Sequence, residues 1–295
     1  MADHDVRFAA AYRDVLARWG DVTVVTCDTA RARTRITVVP GPDGADSPLV
    51  VLLPGGGATS TVWFPQVADL AMGATVIAPD LPGDAGCSLR RQGLRGWRDV
   101  AAWCAEVVAA AGRETGAAAG RETGAAAGRE TGAAAGRPVT VVGHSYGAQI
   151  AVRFALDRPD LVAGVTLLDP TGVFARVSAE TALHAVPLLL APTGRRWRRY
   201  LDWETGGAAL DPAWLRLGAA AADGSRMRPV RLPRPSPADI DRLAGQAGGV
   251  RVVLAERSRY HDARRMAADL RRRHPWITVE TLPASHHELP FVWRP

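Results

Sequence analysis

The stretch that decides the fold reads Arg137-Pro-Val-Thr-Val-Val-Gly-His-Ser-Tyr-Gly-Ala-Gln-Ile-Ala-Val-Arg-Phe-Ala-Leu-Asp157. A short apolar, β-branched run typical of a buried strand leads directly into Gly143-x-Ser145-x-Gly147, and a helical pattern follows. The two glycines lack the Cβ atoms that would clash in a sharp strand-to-helix turn, so Ser145 can sit on strained backbone above the strand end. The N–H of Tyr146 and the helix N-terminus would then face a developing oxyanion. The pattern therefore predicts a nucleophilic serine for acyl transfer.

A second glycine-rich segment follows an earlier apolar run. Leu49–Leu53 is unbroken apolar, as expected for a strand covered on both faces, and Pro54-Gly55-Gly56-Gly57 comes directly after it. Glycine lets backbone N–H groups approach a substrate oxygen closely. We therefore expect the N–H of Gly56 to be the second oxyanion donor, beside that of Tyr146.

Strand and helix patterns alternate over most of the chain, which predicts an α/β fold with a mostly parallel sheet and helices on both faces. The further predicted strands are Val22–Thr26, Thr34–Val39, Ala74–Pro79, Val162–Leu168, Val250–Ala255 and Ile277–Thr281. Helical patterns cover 5–19, 97–111 and 262–274.

The alternation breaks after the Val162–Leu168 strand. Residues 173–245 contain helical pieces rich in leucine, alanine and tryptophan, and they end in a proline-rich stretch. We interpret the chain as 1–172, the first part of an α/β core; 173–245, an inserted helical cap; and 246–295, the second part of the core.

A tandem repeat precedes the serine strand. The octapeptide Ala-Ala-Ala-Gly-Arg-Glu-Thr-Gly occurs three times from Ala109 to Gly132, and a partial fourth copy follows. Glycine at every fourth position costs about 1 kcal/mol each relative to alanine in a helix. The sequence thus predicts a low-complexity surface insertion over 109–136 without a long stable helix.

Composition narrows the class of protein. The 295 residues are 47% hydrophobic, with a net charge of +6 in which every basic residue is arginine. No recognised nucleic-acid motif accompanies the arginine runs, and no signal-peptide pattern or membrane-spanning run of about 18 apolar residues is present. Three scattered cysteines, Cys27, Cys87 and Cys104, match neither a disulfide framework nor a zinc site. We expect a cytoplasmic protein without cofactor or metal that binds no nucleic acid and no membrane, and its oligomeric state is left open.

The order of these parts resembles the α/β-hydrolase superfamily across nearly the whole chain, and most closely its bacterial carboxylesterase-like members. The segments that carry the resemblance are Leu52–Gly57, Ala78–Gly83, Gly143–Gly147, Leu167–Pro170 and Leu282–Pro290. The resemblance implies an α/β-hydrolase fold with Ser145 as nucleophile. The histidine base of the family follows a late Leu-Pro, and counting without a gap from Leu282 assigns it to His287, with His286 as the alternative.

The acid of the triad departs from the family pattern. Ser258 stands where relatives carry an aspartate after the Val250–Ala255 strand. Three carboxylates remain as candidates to orient the imidazole. We favour Asp169, because some members of the superfamily place the acid at the end of that strand, and Glu256 and Asp262 are the alternatives.

The resemblance implies a serine hydrolase that cleaves a small carboxylic ester, or a related thioester or lactone, through an acyl-enzyme on Ser145. The alternative is a non-catalytic scaffold of the same fold that binds a small ligand or partner, since the acid is displaced. Trp197, Trp203, Trp214 and Leu188–Leu190 are candidates for an apolar acyl pocket, although residues at helical spacing can equally be core.

Overall fold

The computed structural model describes residues 3–122, 137–224 and 228–295, and this part of the chain folds around one nine-stranded sheet. The strands are β1 (Thr23–Asp28), β2 (Ala32–Val39), β3 (Leu49–Leu53), β4 (Thr75–Pro79), β5 (Leu89–Arg90), β6 (Val139–His144), β7 (Val162–Leu168), β8 (Val250–Ala255) and β9 (Ile277–Leu282). Their order is β1-β2-β4-β3-β6-β7-β8-β9, with β5 beside β2. The pairs from β4 through β9 are parallel, whereas β2 is antiparallel to β1, β4 and β5. The predicted mostly parallel sheet is confirmed.

Helices cover both faces of the sheet. They are α1 (Asp3–Leu16), α2 (Val67–Ala71), α3 (Trp97–Glu122), α4 (Tyr146–Asp157), α5 (Ala179–Leu190), α6 (Gly194–Thr205), α7 (Pro212–Gly224), α8 (Pro237–Arg242), α9 (Ala263–Arg273) and α10 (Leu289–Val292). Successive strand residues point to opposite faces. Accordingly, Val51 and Leu53 of β3 join an apolar cluster that contains side chains of α3, α4 and α9. Val50 and Leu52 join a second cluster on the other face, with side chains of α1, α7 and α10.

Helix α3 contradicts part of the repeat prediction. It continues from Trp97 through the first octapeptide copy to Glu122. The expectation that the repeat avoids helix is therefore wrong for Ala109–Glu122, because this copy extends a helix that tertiary packing already stabilises. Ala110 and Ala111 are buried in the core cluster, and packing of this kind outweighs the intrinsic cost of glycine. Residues 123–136 of the repeat lie outside the described residues.

Four helices, α5 to α8, lie between β7 and β8, where the sequence predicts a cap. α5 packs on α6, α6 on α7, and α7 on α1, whereas Ile240 of α8 is buried in the same apolar cluster as α4. The N-terminal helix thus supports the inserted helices from outside the sheet, and Arg18 forms an ion pair with Asp211 at 2.7 Å. The division into core and cap stays a prediction. Within the described ranges, no helix is long and apolar enough to cross a membrane.

Candidate active site

Ser145 sits on strained backbone where β6 meets α4. Its φ is 53° and its ψ is −113°, a left-handed conformation that a residue with a side chain rarely adopts. A Cβ atom at Gly147 would collide with the carbonyl oxygen of Leu53, so this turn requires glycine. In the described part of the chain, the non-glycine residues with positive φ are Ser145 and Asp169, whose φ is 40°. Strain of this kind is concentrated at functional sites, and here it falls on the predicted nucleophile and the predicted acid.

The histidine beside Ser145 is His286, and the assignment of the base to His287 is wrong. His286 Nε2 lies 2.9 Å from Ser145 Oγ, and His286 Nδ1 lies 2.6 Å from Asp169 Oδ2. A carboxylate only accepts, so Nδ1 carries the proton and Nε2 is left to accept from the serine hydroxyl. The three side chains form a continuous hydrogen-bonded chain.

Glu204 of α6 explains why the gap-free count selects the wrong histidine. Its carboxylate accepts the backbone N–H of His286 at 3.0 Å and that of His287 at 3.2 Å. It also contacts His287 Nδ1 at 2.8 Å. Together these bonds hold the loop so that the side chain of His286 reaches the serine and that of His287 reaches Glu204. The histidine that reaches Ser145 therefore stands one residue earlier than the gap-free count implies.

Asp169 is the candidate acid that the structure brings to the histidine. It is fully buried after β7, where its Oδ1 accepts the N–H of Ala255 at 3.0 Å. Its Oδ2 accepts the hydroxyl of Ser258 at 2.7 Å. Ser258, at the position where relatives carry the acid, thus donates a hydrogen bond to Asp169. Of the two alternatives, Glu256 is exposed and Asp262 caps α9 by accepting the N–H of Arg265.

A second histidine, His261, lies behind Asp169. Its Nε2 is 2.9 Å from Asp169 Oδ1, within ion-pair range, although the angle is not that of a hydrogen bond. Burial alone would raise the pKa of Asp169, but His261 and His286 outweigh it and hold this pKa well below its usual range. Asp169 is therefore an anion that can stabilise a charged His286.

Two further aromatic rings enclose His286. Tyr260 stacks on it with ring centroids 3.8 Å apart, and His144 lies on it at 4.6 Å. His144 Nε2 donates to the carbonyl oxygen of His286 at 3.0 Å. Burial lowers the pKa of His286 itself, although Asp169 acts in the opposite direction. The imidazole is thus held in one orientation and is neutral at rest, as a general base requires.

The predicted oxyanion donors lie side by side. A Cβ atom at Gly56 would stand 3.6 Å from Tyr146 Cβ, and no oxygen of the described residues accepts a hydrogen bond from the Gly56 N–H. The neighbouring Gly57 N–H donates to Asp84 Oδ1 at 2.8 Å, which anchors the loop. Burial raises the pKa of Asp84 to about 6. Gly56 and Tyr146 are therefore neighbours, and their role as oxyanion donors stays a prediction.

A cavity of about 30 Å³ lies beside Ser145 and His286. Gly55, Gly56, Ser145, Trp214 and His286 are among its lining residues. Of the apolar residues predicted for an acyl pocket, Trp214 alone lines it. Trp197 packs on Trp214 in the core, whereas Leu189 and Leu190 are exposed on α5.

Sequence reasoning missed four residues of this site: His144, Glu204, Tyr260 and His261. No motif marks Glu204, which is one acidic residue among several on amphipathic helices. His144 adjoins Ser145 and Tyr260 lies two positions after Ser258, and only the fold shows that their rings contact His286. Among the described residues, no group of three or more His, Cys, Asp or Glu side chains is arranged to hold a metal ion.

Comparison with known proteins gives matches along most of the chain. The model of the alpha/beta hydrolase family matches residues 50–293. Carboxylesterase YbfK of Bacillus subtilis is 27% identical over 203 residues, which are 68% of this chain and 58% of the length of that relative. The uncharacterized carboxylesterase nap of Bacillus subtilis is 26% identical over 235 residues, 77% of this chain and 67% of that protein.

Solved structures match over nearly the full length. The crystal structure of carboxylesterase CesB (YbfK) from Bacillus subtilis has a TM-score of 0.77 at 22% identity and covers 97% of this chain and 93% of its own. Naproxen esterase from Bacillus subtilis has a TM-score of 0.75 at 21% identity, with 99% and 94% covered. At these identities the likeness establishes a shared fold.

Proposed function

This chain belongs to the α/β-hydrolase family, and from that membership we propose that it is a serine hydrolase that cleaves a small carboxylic ester through an acyl-enzyme on Ser145. The observation that carries the proposal is the hydrogen-bonded chain from Ser145 Oγ through His286 to Asp169. A nucleophile, a base within hydrogen-bond reach and a carboxylate that orients the base are the parts that acyl transfer needs. The names of the two relatives, both carboxylesterases, support the same substrate class.

In the proposed mechanism, His286 Nε2 takes the proton of Ser145 Oγ as the oxygen attacks the ester carbonyl. The N–H groups of Gly56 and Tyr146 stabilise the oxyanion, and Asp169 stabilises the His286 imidazolium. The imidazolium then gives its proton to the departing alcohol, and the acyl-enzyme forms. Water, activated by the same histidine, attacks the acyl-enzyme, releases the carboxylic acid and restores Ser145.

The competing hypothesis of a non-catalytic scaffold rested on the missing acid after β8. Asp169 supplies a carboxylate 2.6 Å from the histidine, and Ser258 donates to it from the family position, so the displaced acid no longer favours that alternative. Thioesters and lactones remain within the proposed chemistry, because they react at the same acyl carbon.

The test is hydrolysis of p-nitrophenyl esters from acetate to decanoate, together with labelling by a fluorophosphonate. We expect the wild type to hydrolyse the short esters and to be labelled, and Ser145→Ala to lose both activities. Ser236→Ala is the matched control, because this serine caps α8 and is absent from the cavity lining. A wild type that is inert on every ester and resists the fluorophosphonate refutes the proposal.

A further inference from the structure

A second and much larger cavity, of about 840 Å³, is lined by His261, which contacts Asp169. It is bounded by the chain after β7, from Val173 to Ser178, and by α8 and α9. Ser145 and His286 are not among its lining residues. Its volume falls within the range of about 300–1000 Å³ that is usual for sites of small organic ligands. The proposed hydrolysis assigns no role to this space.

The lining combines an apolar floor with a basic rim. Val173, Ile240, Met266 and Leu270 contribute buried apolar side chains to the floor. On the rim stand Arg176, Arg265 and Arg273, and within the described ranges none of these three guanidinium groups has a carboxylate partner. A hydrocarbon group would therefore fit the floor while an anionic group meets the rim.

The two carboxylates of the lining are already occupied. Asp262 caps α9 through the N–H of Arg265, and Asp269 forms an ion pair with Arg272 at 2.5 Å. A fourth arginine, Arg234, donates to the carbonyl oxygens of Val173 and Phe174 and so anchors one wall. The charge that remains for a ligand is positive, which selects an anion.

His261 connects this cavity to the active site. It lines the cavity, its side chain is 4% exposed, and its Nε2 lies 2.9 Å from Asp169 Oδ1 without the geometry of a hydrogen bond. A ligand that contacts the His261 ring in this cavity would displace it from Asp169 Oδ1. The same carboxylate holds His286 through Oδ2, so a shift of His261 would alter the position of His286.

We propose that this cavity binds an organic carboxylate with an apolar body, and that its occupancy slows the reaction at Ser145 through His261 and Asp169. Because the ligand lies apart from the serine, it lowers kcat and leaves KM unchanged. The binding part of the proposal is independent of the proposed function, since it depends only on the lining of the cavity.

Binding is measured by calorimetry on the full chain carrying Ser145→Ala, with octanoate as the probe and octanamide as the uncharged control. Adding Arg176→Gln and Arg265→Gln together weakens octanoate binding by about tenfold or more, since each removes a charge-assisted contact. Arg264→Gln, next to Arg265 on the same helix but absent from the lining, leaves binding unchanged. Equal binding by the double variant, or equal affinity for octanamide, overturns the site.

Kinetics on the wild type test the coupling. Octanoate lowers kcat at constant KM, and the effect disappears in the Arg176→Gln, Arg265→Gln double variant, which retains the basal activity. A purely competitive effect overturns the coupling, because it assigns the ligand to the acyl site. If no ester is hydrolysed, the proposed function fails while calorimetry still decides whether the cavity binds octanoate.

Discussion

We compare alanine substitutions at two adjacent histidines, His286 and His287. They distinguish a role in catalysis from a role in holding the loop. The chemical change is identical and the positions are neighbours, yet the contacts differ. His286→Ala removes the group between Ser145 Oγ and Asp169, whereas His287→Ala removes a side-chain contact to Glu204 and leaves that chain of hydrogen bonds in place. We expect the first variant to lose catalysis and the second to lose stability.

The magnitudes follow from those contacts. Without His286, the proton of Ser145 has no acceptor at 2.9 Å, and loss of a general base lowers kcat by about 10³-fold, or roughly 4 kcal/mol of transition-state stabilisation. Asp169 keeps the N–H of Ala255 and the hydroxyl of Ser258, so the fold survives. Without His287, one hydrogen bond to a buried carboxylate is lost, which costs about 1–3 kcal/mol of unfolding free energy and less than about tenfold in kcat.

The assay is p-nitrophenyl acetate hydrolysis, with kcat and KM measured separately, next to urea unfolding of the same preparations. Near-ultraviolet circular dichroism verifies that His286→Ala is folded. If His287→Ala abolishes turnover and His286→Ala retains it, His286 is not the base and the gap-free count from Leu282 is right. Equal, moderate losses in both variants would also refute the assignment, because they would indicate a loop effect and no specific base.

Three further outcomes are expected. Because burial lowers the pKa of His286 and the base must be neutral, the acid limb of kcat/KM has its midpoint below pH 6.5, and a midpoint above that value contradicts the burial argument. Gly55→Ala lowers activity strongly, because the new Cβ atom would lie 2.8 Å from His144 Nδ1. Gly56→Ala retains activity, because its Cβ atom would lie 3.6 Å from Tyr146 Cβ and its N–H is kept. Equal losses in the two variants would exclude the steric cause. The pKa of Asp84 is raised to about 6 in the folded state from 3.8, so its protonation stabilises the fold at low pH, and this contribution is lost as the pH rises through 6. Between about pH 5 and pH 8 the free energy of unfolding of the wild type therefore falls by about 1.4 kcal/mol more than that of Asp84→Asn, which has no carboxyl group to titrate. Urea unfolding of both proteins at the two pH values measures this difference. The same pH dependence in both proteins would disprove it.

The central strands could be predicted because both of their faces are largely covered. The bounds of β3, β7 and β8 agree with the predicted runs, since a strand buried on both faces is mostly apolar; β3 is apolar throughout, and Thr166 and Arg251 are the polar residues of the other two. Helix ends were less predictable. α3 continues to Glu122 because packing of its earlier turns, which local propensity does not contain, outweighs the glycines.

Within the site, a residue could be predicted when the contacts that set its position are close to it in sequence. The turn around Ser145 is set within five residues by Gly143 and Gly147. The end of β7 could be predicted from its apolar run, whereas the choice of Asp169 there over Glu256 and Asp262 came from the resemblance to the superfamily. The histidine was open to error because both His286 and His287 are in the same short loop. The sequence of the loop does not indicate which of the two rings faces Ser145.

The sequence by itself therefore determined the alternating α/β order, the strained serine turn and the strand end that carries the candidate acid, because each depends on local backbone geometry and apolar pattern. Only the tertiary structure decided that His286 faces Ser145. Glu204, 82 positions away on α6, binds the backbone N–H of both histidines and sets the direction of the loop. Only folding, likewise, brings Ser258 and His261 against Asp169. Contacts between residues so far apart in the chain produce no periodicity or spacing in the sequence from which they could be predicted.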